Sequence, residues 1–401
     1  MKRQIHLWRE EALQAEGEVT VSVTIEHPEQ SRKRLWYRLH LDYSSFITPS
    51  FDPFVVATLL MAMSQSTDLV VHGEVSPSLL QNLAEFQAAW TCWCPGKYQS
   101  IAILAEVERE QPQSNISKAI SAFSGGVDSC FTAFRHRKAD SGRVQRPLKA
   151  GLMVHWIGRP LKQQQVFNLT TQKSKAMLNS LGMELIPMAT NFREVMPHNW
   201  DDFHGSAIAS CLMLLQLGYT TGLIASSDPY NALNLPYGSN PITDPLLSSN
   251  AFQIVHDGAA FSRIQKIREI ACWREALDSL MVCWEGSQAD RNCGRCEKCI
   301  RTILGFRVMG IALPACFEQD VTNEQILSIN AVKKSQLIEL YPILEAAKAA
   351  NISESWVTAL EKAIQRNQRR AVLKTYQHTV QAHLPNFIKT GIRPVRSLFR
   401  Y

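Results

Sequence analysis

Six consecutive residues, Ser124-Gly125-Gly126-Val127-Asp128-Ser129, constrain this chain more than any other stretch. They follow an apolar run, Ala119-Ile120-Ser121-Ala122-Phe123, that reads as a buried strand, and they precede Cys130 to Arg135, which reads as the opening of a helix. Two adjacent glycines let backbone approach an anion with no Cβ in the way. The amides of a helix start, with serine hydroxyls beside them, can donate to phosphate oxygens. A carboxylate at Asp128 is placed to hold Mg²⁺ against those oxygens. The competing reading is an ordinary Ser/Gly turn, which the strand–loop–helix context disfavours.

Downstream, strands and helices alternate. Leu152 to Trp156 reads as a second strand, Gln163 to Leu181 as a helix, Glu184 to Met188 as a third strand, Gly205 to Leu217 as an apolar helix, and Thr221 to Ser226 as a fourth strand. That pattern predicts an α/β fold with a doubly wound parallel sheet, helices on both faces. Ligands of such sheets bind at the carboxyl ends of the strands, where the glycine loop, His155 and Ser226-Ser227-Asp228 all fall. From Asp228 to Asn250 the chain carries four prolines together with Tyr230, Asn231, Asn234, Tyr237, Asn240, Thr243 and Asp244. Irregular stretches of this length are functional or disordered, and the aromatic content argues for a pocket wall. Ser262 is placed to cap a helix that carries Arg263 and Lys266.

Residues 1–113 show a different pattern: period-two stretches at Val19 to Ile25 and Leu35 to Leu41, strands near Asp68 to Gly73 and Ile101 to Ala105, and helices at Phe54 to Met63 and Pro77 to Trp90. They predict a small N-terminal α+β domain, ended by a polar linker at Gln111 to Asn115. Cys92 and Cys94 have only Trp93 between them, too tight for two ligands of one zinc, so packing is expected.

Four other cysteines differ. Cys283, Cys293, Cys296 and Cys299 are spaced by ten, three and three, with Gly294 in the tight turn. Thiols so spaced can close a tetrahedral Zn²⁺ site with no open position, so the zinc would be structural. Three cysteines within a polar seven-residue stretch do not look like core.

The S-G-G-x-D-S loop resembles the signature of the PP-loop ATP pyrophosphatases; it lacks the G-K-[ST] ending of a Walker A loop. The resemblance narrows at the cysteines. A PP-loop, then a strand ending in Cys283, then Cys293-Gly294-x-Cys296-x-x-Cys299, then Arg301, Phe306 and Gly310, is similar to the layout of 7-cyano-7-deazaguanine synthase, over residues 118–310. The resemblance implies an adenine nucleotide alpha hydrolase-like fold and an AMP-forming ligase that adenylates a carboxylate, such as a 7-deazaguanine carboxylate, for attack by ammonia or an amine. It implies ATP, Mg²⁺ and structural Zn²⁺ as cofactors. It assigns ATP binding to Ser124, Gly125, Gly126, Val127, Asp128 and Ser129, with the backbone of Met153 to His155 facing adenine. Catalysis falls to Asp128 and Ser129, with Arg263 or Lys266 as the basic side chain on the phosphates. The substrate pocket takes His204, Ser227, Asp228, Tyr230, Tyr237, Asn240 and Asp244. Around His204, the acids Asp201 and Asp202 read most simply as caps of the apolar helix.

This chain departs from that family in two ways. The substrate stretch, Asp228-Pro229-Tyr230 with Pro236-Tyr237-Gly238 later, is rebuilt, and the chain carries an N-terminal domain and a helical C-terminus. Relatives with extra domains, including those of antiphage operons, imply an alternative in which a protein amine or tRNA is the acceptor. A non-catalytic nucleotide-binding module is the third reading. No cysteine follows Met1, so an N-terminal glutaminase is not expected.

Charge bears on partners. Nine Lys/Arg and no acid lie between Lys362 and Tyr401, so a chain of net charge +6 has a basic tail on a mildly acidic body. Predicted helices at Gln336 to Ala350, Ser353 to Arg370 and Val372 to Ala382 make residues 311–401 a helical region. Expected partners are therefore a small-molecule carboxylate, a protein or RNA acceptor gripped by the N-terminal domain or the tail, and a second copy in a homodimer. Nothing reads as a signal peptide or a bilayer span, so cytoplasmic placement without a membrane partner is expected.

Overall fold

The computed structural model describes residues 3–113, 117–137, 139–155, 161–196, 199–283, 291–330 and 334–383. Among these residues eleven strands form one sheet: β1 Gln4–Arg9, β2 Leu13–Ala15, β3 Glu18–Glu26, β4 Arg32–His40, β5 Asp68–Val75, β6 Ile103–Glu108, β7 Ala119–Ala122, β8 Leu148–His155, β9 Glu184–Thr190, β10 Thr221–Ala225 and β11 Gln253–Asp257. Their order is β11-β10-β7-β8-β9-β4-β3-β1-β5-β6, with β2 on β3. From β11 to β9 every pairing is parallel. The antiparallel part is confined to β9-β4-β3-β1 and β2, after which β5 and β6 are parallel again. The mostly parallel α/β architecture expected from residue 118 onward is present.

The boundary expected near residue 113 is crossed by the sheet. β4 pairs with β9 through Tyr37–Thr190, Arg38–Ala189 and Leu39–Met188. Asn191 prolongs the seam, its Oδ1 accepting from the Trp36 amide at 2.9 Å and its Nδ2 donating to the Arg34 carbonyl at 2.7 Å. Residues 1–113 thus extend the main sheet. Sequence periodicity specifies which face of a strand is buried, not which edge it joins.

Helices α1 Asp52–Ser64, α2 Pro77–Trp93, α3 Val127–Arg137, α4 Gln164–Ser180, α5 Phe192–Val195, α6 Trp200–Met213, α7 Arg263–Ile270, α8 Arg274–Ser279, α9 Glu297–Val308, α10 Asn323–Ser328, α11 Lys334–Ala349 and α12 Ser355–His383 complete the fold. One core joins Ile5, Val21 and Tyr37 of the first strands to α1, α6 and the Ile120, Ile186 and Ile224 face of the later ones. A second core lies on the opposite face of the later strands, where Phe123, Leu185 and Leu223 meet α3, α4, α7, α9, α11 and α12. α1 is buried from Asp52 through Met63, as a mostly apolar helix inside a core is, with Thr58 bonded to the Phe54 carbonyl and Asp52 to Ser76. Along β4, by contrast, Leu35, Tyr37 and Leu39 are buried while Trp36 and Arg38 alternate to the other face. Among the described residues no helix is long and apolar enough to cross a membrane.

Two expectations are corrected. Cys92 is exposed and Cys94 only half-buried at the end of α2, so Cys92 is not a packing residue. α6 is capped by Asn199, whose Oδ1 accepts from the Asp201 amide, not by Asp201 or Asp202. Asp202 instead accepts from the Tyr98 hydroxyl at 2.6 Å and pairs with Lys97, tying the first 113 residues to α6. His198 and Trp156, Ser114 and Asn115 of the linker, and Lys389, Arg393, Arg396 and Arg400 of the basic tail lie outside the described residues.

Candidate functional site

The chain lays down β7, β8 and β9 in one direction, then returns to place β10 and β11 on the other side of β7. The carboxyl ends of β7 and β10 therefore flank the point where strand order reverses, the usual ligand position in such sheets. The Ser124–Ser129 loop leaves β7 there and runs into α3, whose first helical residue is Val127. Gly125 has φ +74°, a region that favours glycine. Ser129 Oγ donates to the Gly126 carbonyl at 3.1 Å and accepts from the Ser124 amide at 3.3 Å, closing the loop on itself. Met281 holds the turn from outside, its amide donating to the Gly125 carbonyl at 2.8 Å.

Across the switch point stand two cations from one helix. Ser262 and Gln265 form a capping box at the start of α7, so Ser262 is the cap. Lys266 is 1 % exposed. Its Nζ donates to Asp128 Oδ1 at 3.1 Å, and to the Ser226 carbonyl and Oγ at 2.5 and 3.0 Å, so it spans the ends of β7 and β10. Arg263 donates to Asp128 Oδ2 at 3.1 Å and to Thr302 Oγ1 of α9 at 3.3 Å. Both candidate basic side chains reach the same carboxylate. Burial would push the Asp128 carboxyl up, but Lys266 and Arg263 outweigh it and hold the group below its ordinary range. Asp128 is an anion at neutral pH.

A second layer of charge surrounds these groups. Arg301 of α9 pairs with Glu297 at 3.3 Å and with Glu339 of α11, and Glu339 also faces Arg263 Nε at 3.7 Å. Lys298 is pulled down to about 8, first by burial and then by Arg301 and Arg263. Asp228, just past β10, has its carboxyl raised by burial and by the negative field of Glu339. Ser227 beside it is exposed.

The stretch after β10 is ordered by its own hydrogen bonds. Tyr237 packs on His204, ring centroids 4.5 Å apart. The His204 ring nitrogen Nδ1 lies 3.1 Å from the Trp200 carbonyl, and burial depresses its basicity. Gly205 and Gly238 are required here, since a Cβ on Gly205 would sit 1.9 Å from the Gly238 carbonyl oxygen. Two expected pocket residues are engaged within their own stretch. Asn240 gives both amide functions to Tyr237, Ile242 and Thr243 of its own loop. Asp244 is fully buried, its oxygens taken by Ser239, the Asn240 amide and His256 at 2.8 Å. Both brace the stretch from within. Tyr230, by contrast, is 60 % exposed, and Tyr237 is half-buried.

On β8, Met153 is buried and accepts a long contact from the Thr171 hydroxyl, and His155 stacks on Phe167 of α4 at 4.3 Å. Leu152 is the last residue of β8 in register with β7, so the backbone from Met153 to His155 runs beyond β7 toward the glycine loop.

The Cys283, Cys293, Cys296 and Cys299 sulfurs lie within 4.8 Å of one another. The Cys283–Cys296, Cys293–Cys299 and Cys296–Cys299 separations are 3.9, 3.8 and 3.4 Å. A tetrahedron of sulfurs about 2.3 Å from zinc has edges of about 3.8 Å, so the cluster fits a metal ion of that kind. The sequence reading missed Asn292, which is fully buried beside the knot. Its Oδ1 accepts from the Val282 and Cys283 amides and its Nδ2 donates to the Leu280 and Cys316 carbonyls, all at 2.6–3.0 Å. Gly294 has φ +68°, and a Cβ there would meet the Gln319 carbonyl at 2.5 Å.

No family model, curated protein or solved structure matches the chain. Its chemistry has to be argued from the residues above. The sequence reading missed the charged second layer of Glu297, Lys298 and Glu339: Glu339 stands 211 positions from Asp128 in a segment with no motif.

Proposed function

We propose that the chain is an AMP-forming ligase that spends ATP to activate a carboxylate. The observation that carries this reading is Asp128 held between Lys266 and Arg263, beside a glycine loop at a helix start and a strand-order reversal. Such a place offers a polyphosphate everything it needs: loop and helix amides, hydroxyls of Ser124 and Ser129, and two buried cations whose present counter-ion is a carboxylate. The phosphates of ATP would take over Lys266 and Arg263, releasing Asp128 toward the Mg²⁺ that accompanies the nucleotide. A hard cation of that kind is held by one or two carboxylates plus phosphates and supplies charge neutralisation.

In the proposed reaction these groups act together. A substrate carboxylate oxygen attacks the α-phosphorus, the bond from Pα to the bridging oxygen breaks, and the electron pair leaves with pyrophosphate. The loop and the two cations stabilise that growing charge, the largest contribution available to such a site. An amine or ammonia then attacks the acyl carbon, AMP departs, and the amine's proton passes to a base. The Met153 to His155 backbone would face adenine, and Ser227, Asp228, Tyr230, Tyr237 and His204 would border the acid. A 7-deazaguanine-like acid is the first candidate on the resemblance, and the cysteine cluster would hold structural zinc.

Labelled ATP tests this. Wild type, given the right acid, should release pyrophosphate and AMP, and should exchange labelled pyrophosphate into ATP when the acid is present. Release of γ-phosphate as the first product would end the proposal.

A further inference from the structure

One charged side chain at the site comes from outside the stretch that the resemblance covers. α11 packs against α9 and α7 and carries Glu339 into the cluster. The carboxylate pairs with Arg301 and lies 3.7 Å from Arg263 Nε, while its own side chain is 16 % exposed. Arg263 Nε and Glu339 Oε2 have no hydrogen-bond partner among the described residues, so charge holds this pair together, while Arg301 is shared through Nη1 between Glu339 and Glu297. Arg263 uses its two terminal nitrogens on Asp128 and Thr302, which fixes one side of the fork. Glu339 fixes the other.

We propose that Glu339 is a positioning residue of the phosphate site, holding Arg263 and Arg301 in place and offsetting their charge so that pyrophosphate is bound and then let go. The inference rests on the ligase reading and deepens it. Four cations, Lys266, Arg263, Lys298 and Arg301, face four acids, Asp128, Asp228, Glu297 and Glu339. Of the acids, Asp128 is the one the phosphates would displace. Glu339 pairs with the two arginines and not with Lys266, so it would stay when the ligand enters. Without it the site is more positive by one unit, so a polyanionic product should stick while the arginines lose their fixed orientation.

The test uses the full chain and inorganic pyrophosphate as the probe, with calorimetric affinity and steady-state kinetics measured together. Glu339→Gln should bind pyrophosphate more tightly by on the order of tenfold, the effect of one unit charge several ångströms away in a partly screened site. Its kcat should fall by a similar factor as product release and orientation both suffer, with KM for ATP lowered or unchanged. Glu339→Asp should recover part of both. Equal affinity and equal kcat in Glu339→Gln and wild type would overturn the inference. So would weaker pyrophosphate binding with a matching loss of thermal stability, which is what a merely structural residue would give. If wild type itself binds neither pyrophosphate nor ATP, the ligase reading falls and this inference with it, whereas binding by wild type with an indifferent variant removes the inference alone.

Discussion

The two halves of the sheet are built to different rules. From β7 to β11 the strands are parallel and covered on both faces, and their carboxyl ends collect Asp128, Ser226 and the cations of α7. From β1 to β6 one face joins the shared core, while the other presents Trp8, Leu104 and the Trp36–Arg38 pair, whose guanidinium lies 5.2 Å over the indole. Parallel strands with crossover helices bring helix starts and strand ends to one edge, and that edge can concentrate charge out of water. Alternating strands scatter their polar residues over a wet face, where an ion pair such as Arg38–Glu18 is screened. Chemistry should therefore fail when the first half of this comparison is disturbed, and survive changes in the second.

The largest effect is expected at the knot. Cys299→Ser should abolish stoichiometric metal binding and leave the chain unfolded or aggregated, because structural zinc contributes on the order of 10 kcal/mol in small domains. Metal analysis with a circular-dichroism melt would check this, and full metal content with an unchanged melt would break the assignment. Asp128→Asn should slow pyrophosphate release about a hundredfold or more, the scale for losing one charge-stabilising group. The same variant sharpens the comparison through pH. The carboxyl of Asp128 sits below its ordinary range when folded, so its stabilisation is complete above about pH 4, the unfolded value, and disappears as pH falls through the folded value. The stability difference between wild type and Asp128→Asn in denaturant should accordingly shrink as pH falls below about 4 and on through the folded value; a difference that widens on acidification would contradict the ion-pair picture.

Asn292→Ala comes next. It leaves two amides and two carbonyls without their partner in a buried place, a cost of about 3 kcal/mol. Urea midpoints would register it, and an effect below about 1 kcal/mol would mean that water replaces the side chain. The smallest effect is expected in the half without the site. Tyr37→Phe loses the 3.0 Å contact with Ser210 Oγ and should cost about 1 kcal/mol of stability with ATP turnover unchanged. A loss of turnover there would mean that the seam between β4 and β9 transmits to the site.

Most strands and helices could be read from periodicity alone, because a buried face repeats every two residues in β3 and β4 and the parallel strands are short apolar runs. β1 and β11 escaped. Gln4–Arg9 alternates weakly and ends in charge, and Gln253–Asp257 is five residues with two polar ends. The glycine loop and the four cysteines were readable because their spacing alone fixes what they can touch. Asn292, Arg301 with its partner Glu339, and Asp202 with Tyr98 were not, since each owes its role to a neighbour brought near by packing. The same reason hid the loop bonds of Asn240 and Asp244: a polar residue in a long loop can serve a ligand or its own loop, and its partners are set by tertiary packing.

Local order in the chain determined the Ser124–Ser129 turn, the start of α7 at Ser262 and the four-cysteine knot, because each is specified by residues within about 20 positions of one another. Tertiary structure alone decided that the first 113 residues share the main sheet, that Arg263 and Lys266 both reach Asp128, and that α11 sends Glu339 among the arginines. Edge pairing and long-range ion pairs depend on which surfaces meet when two cores close. That is settled by the sum of many weak contacts, which no local pattern records.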